Sequence, residues 1–270
     1  MKKYIILLLS FLFTFQAQAA ESKPAPVIFD HKYILMTKVL SQYVVKNKNT
    51  TQVKYFELMQ HQEDLNNYIK SVENVADAEY QSWSEKQKLA FLFNSYNALT
   101  IKLILKNLAQ DKDLKSIKKI GGLFTNPWKI EFFKFLGKPS YLDYIEKGIA
   151  QKLFDEPRMH FAFNCASIGC PSLSQEAFIP EKLDEQLDQA ARNFFKDTSR
   201  NELLVAQKTL FLSPILKWYK NDFENSKRFG PMKKFLLEAF PFSREEKVAF
   251  ESDKYSIEYK TYDWNLNLAP

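Results

Sequence analysis

Residues 86–108 read KQKLAFLFNSYNALTIKLILKNL. Leu89, Phe93, Tyr96, Leu99, Leu103 and Ile104 recur at helical spacing, and most of the positions between them are apolar too. A helix that is apolar nearly all round has no face for water, so it belongs at the centre of a fold with other elements packed around it. Ser84 and Gln87 have capping-box spacing and set its start. Two asparagines interrupt its apolar run, Asn94 and Asn97, three apart and on one face. A buried amide without a partner costs on the order of 1–3 kcal/mol. The pair therefore either braces a loop through its backbone or lines a polar pocket.

Around this helix the pattern mixes both periods. HKYILMTKVLSQYVV and FELMQHQEDLNNYIKSVENV read as helices, with His31 and His61 as surface or helix-flank residues. WKIEFFKFLGK reads as a strand or hairpin ending at Gly137, and SYLDYIEKGIAQKL as a short helix. MHFAF alternates and predicts a strand, with His160 and Ala162 on one face. IPEKLDEQLDQAARNFFKD predicts a helix with Pro180 in its first turn. A hairpin over LLVAQKTLFLS, helices over ILKWYKNDF and PMKKFLLEAF, and a late strand from YSIEY follow. Strands and helices without regular βαβ spacing predict a single α+β domain, with a central, mostly antiparallel sheet packed by helices.

The N-terminus reads MKKYIILLLSFLFTFQAQAA: two lysines, an apolar run from Tyr4 to Phe15, and small residues ending at Ala19. This is the pattern of a secretory signal over residues 1–19, too short to span a bilayer. Residues 20–27 read as a linker and 28–270 as the globular part. The expected location is a periplasm or the outside of the cell, with no transmembrane segment after cleavage. Removing residues 1–19 leaves 36 basic and 32 acidic side chains, interspersed along the chain. That mild balance predicts no nucleic-acid partner. With 24 phenylalanines and 13 tyrosines against six glycines, the composition is that of an aromatic-rich globule large enough to fold without disulfides.

Both cysteines, and one of three histidines, fall in HFAFNCASIGCP, residues 160–171. Three readings compete. Two cysteines in an exported chain commonly pair, and a Cys165–Cys170 disulfide would shape the loop between them. His160, Cys165 and Cys170 would give three metal ligands, but the spacing is looser than common zinc patterns, so no metal or other cofactor is predicted. The third reading makes Cys165 a nucleophile and His160 its base, with His160 expected to lower the Cys165 pKa. Asn164, Asn94 or Asn97 would orient the imidazole or bind an oxyanion, and Asp263 would be the third catalytic member. Tyr96, Ser167 and Cys170 join the asparagines as candidate pocket residues.

FNSYNALTIKLIL, RMHFAFNCASIGCPSL, LSPILKWYKNDF and YDWNLN, in that order, resemble the uncharacterised family catalogued as domain of unknown function 547, over about residues 80–265. The resemblance implies hallmark positions at Asn94, Tyr96, Asn97, His160, Asn164, Cys165, Ser167, Cys170, Pro171, Tyr262, Asp263 and Trp264. It also implies a fold similar to papain-like or transglutaminase-like proteins. Ile145-Glu146-Lys147 departs from the expected Ile-Glu-His, which leaves His160 as the base candidate. The expected function is an exported cysteine hydrolase or acyltransferase acting on an amide in a peptide-like or cell-wall polymer substrate. The alternative is a non-enzymatic binding protein whose ligand loop is shaped by the disulfide.

Overall fold

The computed structural model describes residues 28–48, 50–122 and 124–270. The signal segment and the linker predicted from the sequence lie outside the described residues. Among the described residues no helix is long and apolar enough to cross a membrane.

The chain opens with α1 (Ile34–Tyr43), a hairpin of β1 (Val44–Asn47) and β2 (Thr50–Val53), and three short helices, α2 (Tyr55–Gln60), α3 (Glu63–Glu73) and α4 (Asp77–Ser82). These pack around α5 (Glu85–Leu108), the helix expected at the centre. Its capping box is complete: the Gln87 N–H donates to Ser84 Oγ at 3.3 Å, and Ser84 N–H donates to Gln87 Oε1 at 2.9 Å. Every residue from Leu89 to Ile101 is buried, so the helix is covered on all sides as its composition requires. Phe91 stacks on Phe135 at 5.2 Å, and Phe93 meets Phe163 and Phe178 edge-on, which ties α5 to later parts of the chain.

The hairpin foreseen near Gly137 is β3 (Phe133–Phe135) with β4 (Lys138–Ser140). A π-helical segment, Tyr144–Ala150, runs into α6 (Gln151–Leu153). Next come a 3-10 turn at Pro157–Phe161, the motif loop, α7 (Leu183–Lys196), and the strands β5 (Glu202–Leu204) and β6 (Thr209–Leu212). α8 (Pro214–Trp218), α9 (Lys220–Asn225), α10 (Met232–Ala239), α11 (Arg244–Glu251) and β7 (Ser256–Tyr259) complete the chain. The class is α+β, as expected, but the strands do not form one central sheet. They are divided among two hairpins and a three-stranded sheet, β5-β6-β7, in which β6 and β7 run parallel. The strands are three or four residues long, too short to carry a core, and α5 takes the central place instead.

A second correction concerns MHFAF. Residues 157–161 form a 3-10 turn, with Pro157 at its start and Glu156 capping the Arg158 N–H. A strand offers two faces, whereas four consecutive side chains here need four directions. Arg158, only 2 % exposed, reaches Glu156 through two bonds of 2.6 and 2.7 Å, and also Asp188 at 2.6 Å and Asp184 at 2.8 Å on α7. Met159 joins the apolar cluster around α5, together with Ala162 and Phe163. Phe161 enters a second cluster with Phe194, Phe195, Phe223 and Phe235. His160 goes a different way, toward α9. The turn is thus the seam between two apolar clusters, and the cysteine loop starts at that seam.

Candidate functional site

Asn97 fixes the start of the loop. Its Nδ2 donates to the Ala162 carbonyl at 3.0 Å, and its Oδ1 accepts the Asn164 N–H at 2.8 Å. Asn164 then closes the loop on itself. Its Nδ2 donates to the Pro171 carbonyl, and its Oδ1 accepts the Ala166 N–H. Ala166 adopts the left-handed conformation, φ 62°, which an alanine holds only where its surroundings impose it. The C-terminal segment supplies the opposite edge. Ile168 N–H donates to the Asn265 carbonyl and Gly169 N–H to that of Asp263, both at 2.8 Å. A Cβ at Gly169 would stand 3.0 Å from the Asp263 backbone, so glycine is what lets the two segments approach.

Asn97 therefore braces backbone and does not line a pocket. Asn94 does the same elsewhere, bonding both the carbonyl and the N–H of Phe178 rather than the cysteine motif. Asn97→Leu leaves a buried N–H and a buried C=O without partners and is expected to cost about 2–3 kcal/mol. Chemical denaturation checks the value; a loss below ~0.5 kcal/mol would show that the clamp is dispensable.

The loop forms one wall of a cavity of about 420 Å³. Tyr96, Phe163, Cys165, Cys170, His160 and Tyr219 line its inner part, and Trp128, Trp218, Tyr262 and Trp264 line its aromatic side. Asp143, Glu146 and Lys147 come from the start of the π-helical segment. Of the predicted pocket residues, Tyr96 and Cys170 line this cavity. Asn164 and Ser167 support it from within the loop, and Asn94 lies away from it.

Cys165 and Cys170 are both free thiols. The disulfide expected for an exported chain is not formed here. Instead the Cys165 N–H donates to Cys170 Sγ at 2.8 Å. Cys165 Sγ sits 3.0 Å from Ser167 Oγ and 3.1 Å from the Tyr262 hydroxyl, and those two oxygens are 2.9 Å apart. Burial alone pushes the Cys165 thiol up; hydrogen bonds from Cys170, Ser167 and Tyr262 outweigh it and bring the pKa from 9.0 down to about 7. Burial holds Cys170 well above its ordinary value, and the neighbouring Cys165 adds to that. Tyr262 is raised too, by burial and then by Cys165, so the first proton to leave the group is that of Cys165.

The imidazole is prepared separately. His160 Nε2 lies 2.7 Å from Asp222 Oδ2, and the ring stacks on Tyr219 at 3.7 Å and 17°. Asp222 Oδ2 also accepts from Gln151 Nε2 at 2.8 Å. His160 Nδ1 is buried without a hydrogen-bond partner among the described residues. The bonding pattern assigns the proton to Nε2, facing Asp222, and leaves the lone pair on Nδ1. Cys165 and His160 line the same cavity, but no hydrogen bond joins them. The main causes of the low thiol pKa are thus its thiol neighbour Cys170 and then the Ser167 and Tyr262 hydroxyls, not the imidazole expected from the sequence.

Asp263 does not orient His160. It is exposed, and its Oδ1 accepts from the N–H and Nδ2 of Asn265, closing a local turn. The carboxylate that holds His160 is Asp222, which sequence reasoning missed. The signal was present: Tyr219 and Asp222 lie three apart in WYKND, so a helical turn places both toward one side. Among the described residues no three His, Cys, Asp or Glu side chains converge as metal ligands do.

The family model described as "Protein of unknown function, DUF547" matches residues 80–195. The chain resembles that family from within α4 into the last turn of α7, a stretch that includes His160 and both cysteines; Asp222 and Tyr262 lie beyond it. No curated protein and no solved structure matches the chain.

Proposed function

We propose that the cavity is the active site of a cysteine-dependent hydrolase or acyltransferase acting on an amide, in a peptide or cell-wall polymer met outside the cytoplasm after removal of residues 1–19. The observation that carries this reading is a thiol drawn down to about 7 in a cavity it shares with a carboxylate-held imidazole.

Cys165, as thiolate, attacks the amide carbonyl carbon and a C–S bond forms while the carbonyl electrons move to oxygen. The Ser167 and Tyr262 hydroxyls lose a charged acceptor as the sulfur is acylated and are the nearest donors to follow that charge. Collapse breaks the C–N bond, and the leaving amine takes a proton from His160, which acquired it at Nδ1 from the thiol. Water, or an acceptor amine, then gives a proton to His160 and attacks the thioester, returning Cys165. Asp222 and the Tyr219 ring stabilise the imidazolium that forms twice in this cycle.

An acylating probe tests this. Incubation with p-nitrophenyl acetate is expected to leave one acetyl group on Cys165, found by peptide mass spectrometry and removed by hydroxylamine. Acetylation confined to surface lysines would contradict the proposal and favour the rival, a non-enzymatic binding module that uses the same cavity without its thiol.

A further inference from the structure

Glu146 has no part in that cycle, yet it lines the same cavity and is only 7 % exposed. One of its oxygens, Oε1, accepts from the Tyr219 hydroxyl at 2.7 Å. Burial and Glu146 itself both raise the Tyr219 pKa, so the phenol stays a donor. Among the described residues no lysine, arginine or histidine pairs with Glu146. The nearest in sequence, Lys147, is half exposed and pairs with Asp143 at 2.9 Å. A carboxylate taken out of water without a cation is costly, and it recovers that cost when a cation reaches it. The same cavity is lined by an aromatic surface, with Trp218 half exposed and stacked on Trp264 at 5.8 Å and 23°. That surface already holds one cation, Lys118 Nζ, 4.7 Å from the Trp264 ring centre.

We propose that Glu146 binds a cationic amine on the substrate, with the aromatic wall of Trp218 and Trp264 contacting the chain that carries it. This rests on the reading of the cavity as the active site. It narrows the substrate to an amide bearing a primary ammonium group, such as a lysine-like side chain.

Binding can be measured without chemistry. The full chain carrying Cys165→Ala is titrated by calorimetry with acetyl-Ala-Lys-Ala-amide and with the same peptide carrying norleucine in place of lysine. The lysine peptide is expected to bind at least about tenfold more tightly. That preference should disappear in Glu146→Gln, which keeps the acceptor for Tyr219 but carries no charge. The comparison of the two peptides in Cys165→Ala alone decides the matter if Glu146→Gln does not fold. Equal affinity for the two peptides, no binding of either up to millimolar concentration, or a preference that survives Glu146→Gln would each overturn the proposal. Acetylation of Cys165 by the neutral ester is read independently, so loss of the amine preference leaves the thiol chemistry standing.

Discussion

Replacing Cys165 with alanine is expected to lower turnover of p-nitrophenyl acetate by at least about 10³-fold, leaving only the background of surface amines. The scale follows from the role: the atom that forms the covalent bond has no substitute in the cavity, because Cys170 is buried with its pKa raised. Asp222→Asn is expected to cost about 10²-fold or more, because an amide can donate to Nε2, moving the proton to Nδ1 and removing the lone pair that acts as base. Asp263→Asn, by contrast, changes an exposed turn and should stay within a factor of about two. The three variants together separate the observed carboxylate partner from the one the sequence suggested. Equal losses at positions 222 and 263 would contradict the assignment.

The largest loss of stability is expected at Arg158. Replacement by leucine removes four short polar contacts and leaves Glu156, itself buried, without its bidentate partner. Breaking one side of a buried ion pair in this way costs about 3–5 kcal/mol. The guanidinium also lies 4.5 Å from the Phe229 ring, so packing is lost as well as charge. In a chain of this size the melting temperature should fall by roughly 10 °C. Lys38→Ala, which removes a pair whose lysine is well exposed, should shift it by no more than about a degree. A small effect at Arg158 would mean that the 3-10 turn is held by its apolar side chains alone.

How much of this was legible beforehand depends on what each residue's neighbours are. The α5 helix was readable because its start is written in Ser84 and Gln87 and its burial in unbroken apolar spacing, both local properties. MHFAF was not, because five residues fit a strand and a turn equally well. What decides is Arg158 meeting Asp184 and Asp188 from a helix some 25 residues later. The asparagines show the same limit. Their shared face is a matter of spacing and was right, but one binds the cysteine loop and the other Phe178, which only tertiary structure determines. Asp222 and Asp263 both sit beside aromatics in the sequence. The first is carried to His160 on α9; the second is spent on a turn with Asn265. The low pKa of Cys165 likewise depends on Tyr262, nearly a hundred residues away.

The central claim, a thiolate held ready by its thiol and hydroxyl neighbours, is tested most directly by the pH dependence of alkylation under reducing conditions. At pH 7 a thiol with pKa about 7 is half ionised, against about 1 % at the ordinary 9.0. Its thiolate is intrinsically weaker, by roughly tenfold for two units, so the net rate gain is only about fivefold and the midpoint is the cleaner reading. Iodoacetamide labelling of Cys165, followed by peptide mass spectrometry, should rise with a midpoint near pH 7, while buried Cys170 labels far more slowly. Tyr262→Phe should move that midpoint upward by part of the way, since the Cys170 and Ser167 bonds remain, and His160→Ala should leave it nearly in place. A midpoint near 9 in the unaltered chain, equal labelling of the two thiols, or a midpoint that follows His160 and not Tyr262 would contradict the account.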